Sequence, residues 1–391
     1  MKANLSAELA LVAACCRWPP SPARNAAVRA AASGPIDWDR FARVVARHHV
    51  AVLVRDGLHC AGVTVPPAAE RCQTAAAAAF SRKALAMARE TIRLQRSFDE
   101  ARLPAIFVKG STLAMLAYGR LGMKQSWDID VLTPRKNVLA GRRLLLELGY
   151  QMLSPSNLDE CQFARFSLFT NQAAFHNAAL NTSAELHWRI MRNEELIPAT
   201  GVCSPTQEVS IAGIGVRSLA DEALFAYLCA HGTQHGWARL KWLADVGAFL
   251  AGRDKTETKR LYRAAVDLGA GRTPAVALLL CHRLLGLLLP EDLLGELRAD
   301  RLATALAGNC LYCIAYRQGE VEYSVASLPG LRLMFANFFL VPGSRYFWNE
   351  ARIKWTCPED RARIALPRPL AFAYYLLRVP LWLARQRRSA R

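Results

Sequence analysis

Acidic residues are the scarce class in this chain: 32 Asp and Glu stand against 50 Lys and Arg, a formal net charge of +18 at pH 7. That balance excludes an acidic, solvating polymer and favours polyanionic partners such as nucleoside triphosphates, nucleic acid or an anionic lipid surface. Long hydrophobic runs are missing as well. No segment offers about 20 uninterrupted apolar residues, so a membrane-spanning helix is not expected. The nearest approach, Pro369 to Leu383, is broken by Arg378 and Pro380. A secretory leader is not expected either, because the apolar stretch before Cys15 is short and carries Glu8; residues 5–16 read as an ordinary first helix. The eleven cysteines are an odd number at irregular spacings, which points to a reducing cytoplasm. Beyond the adjacent Cys15-Cys16, the only close spacing is Cys310 to Cys313, with no second CxxC and no His pair at finger spacing, so zinc and redox chemistry are not expected there.

Several catalytic signatures fail. Lys109-Gly110-Ser111-Thr112 reverses the Gly-Lys order of a P-loop and lacks its upstream glycine. Gly213-Ile214-Gly215 lacks the third glycine of a dinucleotide fingerprint, and no Gly-x-Ser-x-Gly elbow occurs. There is no internal repeat.

What the chain does have is enough apolar residue, 52% of 391, for two or three folded domains. The first hundred residues carry helical patterning. Ile36-Asp37-Trp38-Asp39 supplies a carboxylate to cap a helix containing Phe41, Val44 and Val45, and Thr74 to Arg102 predicts one long helix with Thr74 as its cap. The pattern changes at Leu103-Pro104. Ala105 to Val108 is a short β-favouring run ending in Lys109-Gly110-Ser111, and a helix is expected from Thr112 to Tyr118. Trp127 to Leu132 alternates, with Trp127, Ile129 and Val131 on one side and Asp128 and Asp130 on the other. A helix follows Pro134, from Arg135 to Leu148, with Gly149 to end it. Phe163 to Phe169 and Ser183 to Ile190 are further expected strands. From Ser218, placed to cap, the chain is helical to about residue 320; Leu331 to Val341 is apolar, and the segment after it ends in a basic tail.

The chemistry concentrates in the middle. Asp128 and Asp130, one residue apart on a strand, project from one face with Cα atoms about 6.5 to 7 Å apart, a spacing that lets both carboxylates reach divalent cations. Gly110 and Ser111 stand where a strand gives way to a helix, so that amides and a small hydroxyl can hold phosphate oxygens. Glu185, in Ala184-Glu185-Leu186-His187-Trp188, is the third carboxylate; its neighbours Ala184 and Leu186 point to the core. His187 shares the face of Glu185 by alternation and receives no role. His231 and His235 are four apart on one helix face, a spacing that suits zinc but lacks the intervening Glu of metalloprotease helices, and Gly232 and Gly236 weaken the helix; His231 reads better as lining the nucleotide cleft, with a hydrogen-bonded core histidine as the alternative. Lys241 and Asp245 have the spacing of a surface ion pair, with a lysine facing a triphosphate as the alternative.

Taken together, Phe107-Val108-Lys109-Gly110-Ser111, Asp128-Ile129-Asp130-Val131-Leu132, Glu185-Leu186-His187-Trp188, and His231 through Leu240-Lys241-Trp242-Leu243-Ala244-Asp245 resemble the bacterial uncharacterised nucleotidyltransferase family of the polymerase-β-like superfamily. The resemblance implies an α+β fold: a polymerase-β-like nucleotidyltransferase core, a short mixed sheet with helices, over residues 103–216. This core would be flanked by an N-terminal helical region (1–102), a helical domain closing the cleft (217–325) and a basic, apolar helical segment (326–391). It also implies transfer of a nucleoside monophosphate from an NTP, releasing pyrophosphate, to a hydroxyl or phosphate of a small-molecule or peptide acceptor. Asp128, Asp130 and Glu185 would be the catalytic metal ligands, for Mg²⁺ or Mn²⁺. Lys109, Gly110, Ser111, Lys124, His231 and Lys241 would be the phosphate and nucleotide contacts. The family often carries Arg where this chain has Lys124, which keeps the charge but loses bidentate contact. Alternatives are a toxin-like enzyme modifying tRNA and a non-catalytic basic scaffold. Localisation is expected to be cytoplasmic; residues 367–391 read first as a terminal helix packed on the body, with peripheral membrane contact as the alternative.

Overall fold

A computed structural model describes residues 5–364 together with 373 and 374. Its N-terminal helices start where the sequence supplies caps. Ser6 accepts from the Leu9 amide ahead of helix Ala7–Cys15, and Ser21 from the Arg24 amide ahead of helix Pro22–Ala32. Asp37 accepts from the amides of Asp39 and Arg40 to open helix Trp38–His48. The long helix spans Pro67–Glu100, so Thr74 lies inside it and caps nothing. Pro67 is the reason: its fixed φ suits a first turn, where the missing N–H has no helical partner anyway.

The sheet has strand order β1 (Ile106–Phe107), β2 (Asp128–Leu132), β5 (Thr182–His187), β4 (Gln172–Asn177) and β3 (Gln151–Ser154). Only β2 and β5 pair in parallel; the other neighbours are antiparallel. One face presents Ile129, Val131, Ala184, Leu186, Ala173 and Phe175 to Leu94 and Phe98 of the long helix and to Leu145. Leu145 lies on helix Val138–Glu147, which Gly149 follows at a positive φ of 85°. The strand periodicity therefore fixes the other face of β2 and β5 as the one that carries Asp128, Asp130, Glu185 and His187.

Three local expectations are corrected. Phe163 to Phe169 is not a strand: helix Glu160–Phe166 occupies it, opened by a reciprocal capping box between Asp159 and Gln162. The flat Phe163 and Phe166 pair, three apart, packs as one helix face against Trp188. Ser218 caps no helix; it ends a hairpin of β6 (Thr206–Ile211) and β7 (Ile214–Leu219) and donates to the Phe107 carbonyl at 2.9 Å. Helix Asp221–Gln234 starts three residues later. The hairpin turn is Ala212-Gly213, both at positive φ, so the glycine earlier weighed as part of a dinucleotide motif serves a two-residue turn. Trp127 lies outside β2, half exposed, with its ring edge-on to His49 and Phe80.

Helices Asp221–Gln234, Leu240–Ala251, Lys255–Asp267, Thr273–Leu285, Glu291–Ala299 and Arg301–Ile314 follow. Leu224, Val246 and Leu278 from this set share one hydrophobic cluster with Leu9, Phe41 and Val54 from the N-terminal helices. Two further helices, Leu328–Ala336 and Ser344–Trp355, lead to a short one at Pro358–Arg363. Among the described residues no helix is long and apolar enough to cross a membrane. The 367–391 segment, apart from residues 373 and 374, lies outside the described residues.

Candidate active site

Parallel pairing of β2 with β5 sets Asp130 directly beside Glu185 and Asp128 beside Ser183. Adjacent strands are about 4.8 Å apart, so the Asp130 and Glu185 carboxylates rise from neighbouring backbones on one face. On the far side of Glu185 the partner in β4 is Ala174, which leaves that face open above the carboxylate. Ligand atoms of Asp130, Glu185 and His187 all lie within 4.8 Å of one another. His187 Nε2 is 3.1 Å from Asp130 Oδ1 and 3.4 Å from Glu185 Oε2. Asp128 is outside that triplet and joins it through Lys109, whose Nζ is 3.2 Å from Asp130 Oδ1 and 3.7 Å from Asp128 Oδ2.

The electrostatics follow from this crowding. Asp130 is 1% exposed, and burial alone would raise its pKa. The Lys109 ammonium and the His187 hydrogen bond outweigh burial and hold the carboxyl well below the usual carboxylate range. Burial would likewise lower His187, but its hydrogen bonds to Asp130 and Glu185 push it up to about 9. Lys109 is raised for the same reason, by Asp130 and then Asp128 against its burial. Asp130 Oδ2 is buried and, among the described residues, has no hydrogen-bond partner. A buried carboxylate oxygen left open, next to a second carboxylate and an imidazole, is a donor set that suits a hard or borderline divalent cation. The residues present therefore fit a metal.

A cavity of about 700 Å³ opens over this face. Lys109, Asp128, Glu185 and His187 line one part of it; Tyr227, His231, Lys241 and Trp242 line another. His231 Nε2 is buried with no hydrogen-bond partner among the described residues, and its ring lies 4.7 Å from that of His235 and 5.4 Å from Trp242. Burial, then the charge of Lys109, push the His231 imidazole well below its ordinary pKa, so it is neutral. Lys241 Nζ donates to the Gln125 carbonyl at 3.3 Å. Burial, then Lys124, lower it to about 7, with Asp128 opposing.

Two residues paired by helical spacing in the sequence are separated here. Lys241 does not meet Asp245 at the surface; Asp245 is buried and is bound by the Lys124 ammonium and, at 3.0 Å, by the Tyr118 hydroxyl. Lys124 is thus committed to a buried ion pair that clamps the segment before β2 to helix Leu240–Ala251. Gly110, at φ 80°, precedes helix Ser111–Tyr118 with Ser111 buried behind it; neither lines the cavity. The functional side chain that sequence reasoning left without a role is His187. Its signal was available in the two-residue alternation from Glu185.

The model of the uncharacterised nucleotidyltransferase family matches residues 34–286, well over half of the chain. The chain belongs to that family. The match runs through every residue of the carboxylate cluster, and stops short of helices Leu328–Ala336 and Ser344–Trp355, whose Leu333, Met334, Ile353 and Lys354 complete the cavity wall. No curated protein matches the chain.

Proposed function

We propose that this nucleotidyltransferase moves a nucleoside monophosphate from an NTP to a hydroxyl or phosphate of a small-molecule or peptide acceptor, using Mg²⁺, with the helical stretch 217–325 closing over a core at 103–216. The observation that carries this reading is the β2–β5 register, which sets Asp130 beside Glu185 under a cavity that Asp128 and Lys109 also line. Asp128, Asp130 and Glu185 would hold the ion, with His187 as an additional donor in reach. Bound there, a divalent ion supplies charge neutralisation on the transferring and leaving phosphates.

The chain's own residues do the rest. Lys109 places an ammonium beside Asp128 and Asp130, where the triphosphate charge must arrive. Gly110 and Ser111 do not line the cavity, but they open helix Ser111–Tyr118 directly after Lys109, so the positive end of that helix would favour phosphate charge beside the lysine. Lys241, across the cavity, adds a cation from the helical side. Glu185, less buried than Asp130 beside it, would take the proton from an acceptor hydroxyl. Incubation with Mg²⁺ and each labelled NTP tests the assignment. Pyrophosphate release or label transfer, lost in the Asp128→Asn, Asp130→Asn double variant, is the expected result; triphosphate binding that persists without turnover for any acceptor would leave a scaffold.

A further inference from the structure

Helices Leu328–Ala336 and Ser344–Trp355 each have two working faces. Their inner faces wall the cavity, through Leu333 and Met334 from one and Ile353 from the other, while Tyr346 and Glu350 are buried. Their outer faces ought to be polar in a helix that only covers a core. They are not. On the second helix Arg345, Trp348, Arg352 and Trp355 recur at three- and four-residue steps and so form one stripe, with the Arg345 side chain 87% exposed, Trp348 68% and Trp355 55%. On the first, Leu328, Leu331, Arg332 and Phe335 repeat the arrangement, with Phe335 62% exposed. Exposed Phe339 lies on the short turn between them, and the rings of Phe338 and Phe347, 5.0 Å apart, join the two elements.

We propose that this outer face docks on an anionic lipid surface. Large aliphatic and aromatic side chains interspersed with arginine are what the headgroup boundary accepts: the rings and leucines enter the acyl edge while the guanidinium groups stay with the phosphates. Charge selects the sign of the lipid. The acidic residues of this region are Glu350, Glu359 and Asp360; Glu350 and Asp360 are buried, and no acidic residue follows Asp360, whereas eight arginines do. Among the described residues Arg345 pairs with Glu195 at 3.6 Å, and Arg352 donates to Asn349. The same charge argues against other occupants. A second copy meeting this face two-fold would bring arginine against arginine. Nucleic acid would satisfy the arginines and leave Leu328, Leu331 and Phe335 without a use.

The test is vesicle flotation of the full chain with phosphatidylcholine alone and with roughly one-third phosphatidylglycerol. Binding is expected only to the anionic vesicles and should weaken with salt. Trp348→Ser with Phe335→Ser should abolish it. Arg345→Glu with Arg352→Glu should weaken it by at least about 25-fold, fivefold for each positive charge removed. Thermal unfolding of both variants should match the parent, since these side chains are exposed. Failure of the parent to float overturns the proposal. So does unchanged flotation of both variants, or a concentration-dependent dimer in sedimentation that the variants lose.

Discussion

Asp130→Asn separates the structural from the catalytic work of the carboxylate cluster. The substitution keeps the shape and one acceptor of a side chain that is 1% exposed, and removes its charge. Lys109 Nζ is 3.2 Å from Asp130 Oδ1. At an effective dielectric of about 20, that separation corresponds to about 5 kcal/mol of attraction. Breaking one partner of a buried pair costs about 3–5 kcal/mol, and the lower end is expected because Lys109 retains Asp128 at 3.7 Å. Thermal or urea unfolding of the full chain in EDTA at neutral pH should therefore place Asp130→Asn about 3 kcal/mol below the parent. Adding Lys109→Met should recover part of that loss, since the buried ammonium is then gone too. The sign with pH is fixed. Because the folded carboxyl sits below its ordinary value, its contribution is full above about pH 4 and fades as acid protonates it, so the two proteins should converge on acidification. A loss under about 1 kcal/mol, or no recovery in the double variant, would refute the pair as a buried, charge-balanced unit.

Asp128 is a third exposed, so Asp128→Asn should leave stability within about 1 kcal/mol of the parent while removing label transfer, read by unfolding and by pyrophosphate release. Lys109→Met should tighten Mn²⁺ binding in the absence of nucleotide, measured by calorimetry, because the competing ammonium leaves the carboxylates; weaker binding would mean that Lys109 supports the metal. Lys241, lowered to about 7 from 10.5 by burial and then Lys124, is a cation below that pH and neutral above it. Triphosphate affinity should fall as pH rises through about 7, and Lys241→Met should flatten the profile; relative to that variant the parent's stability should rise between about pH 7 and 10, where only the unfolded chain still binds the proton. Lys124→Met should cost about 3–5 kcal/mol in unfolding, because Asp245 is left buried with the Tyr118 hydroxyl alone.

The polar face of β2 was legible because alternation is local: Asp128-Ile129-Asp130-Val131 cannot put its acids and its aliphatic residues on the same side. The same rule made Ala184 and Leu186 core residues and Glu185 a site candidate, and both aliphatic neighbours are fully buried. What alternation does not carry is register. That Asp130 pairs with Glu185, and that this pair alone is parallel among the sheet's neighbours, depends on crossing connections through Val138–Glu147 and the β3–β4 strands, which no local pattern specifies. Helical spacing misled at Lys241 and Asp245 for a related reason. Being four apart makes two residues neighbours on a helix but does not say what approaches from outside, and here Lys124 takes Asp245 into a buried pair. Phe163 to Phe169 failed where a capping box outweighed aromatic β-propensity.

The departures share a consequence. Lys109, Lys124 and Lys241 converge on a small pocket next to the cavity, which Asp128 and Asp245 also line, and Asp245 is already bound by Lys124. Asp130 and Asp128 balance Lys109 in the same way. Of the three, Lys241 has no carboxylate contact among the described residues: its partner is a carbonyl at 3.3 Å, and burial, then Lys124, lower its pKa to about 7. A ligand bringing negative charge to that position would repair it and raise Lys241 back toward its ordinary value, so binding should take up a proton above about pH 7. Calorimetry of triphosphate binding in two buffers of different ionisation enthalpy measures that uptake directly. A proton count indistinguishable from zero at pH 8 would place the phosphates away from Lys241, and leave Lys109 and the first amides of helix Ser111–Tyr118 as their site.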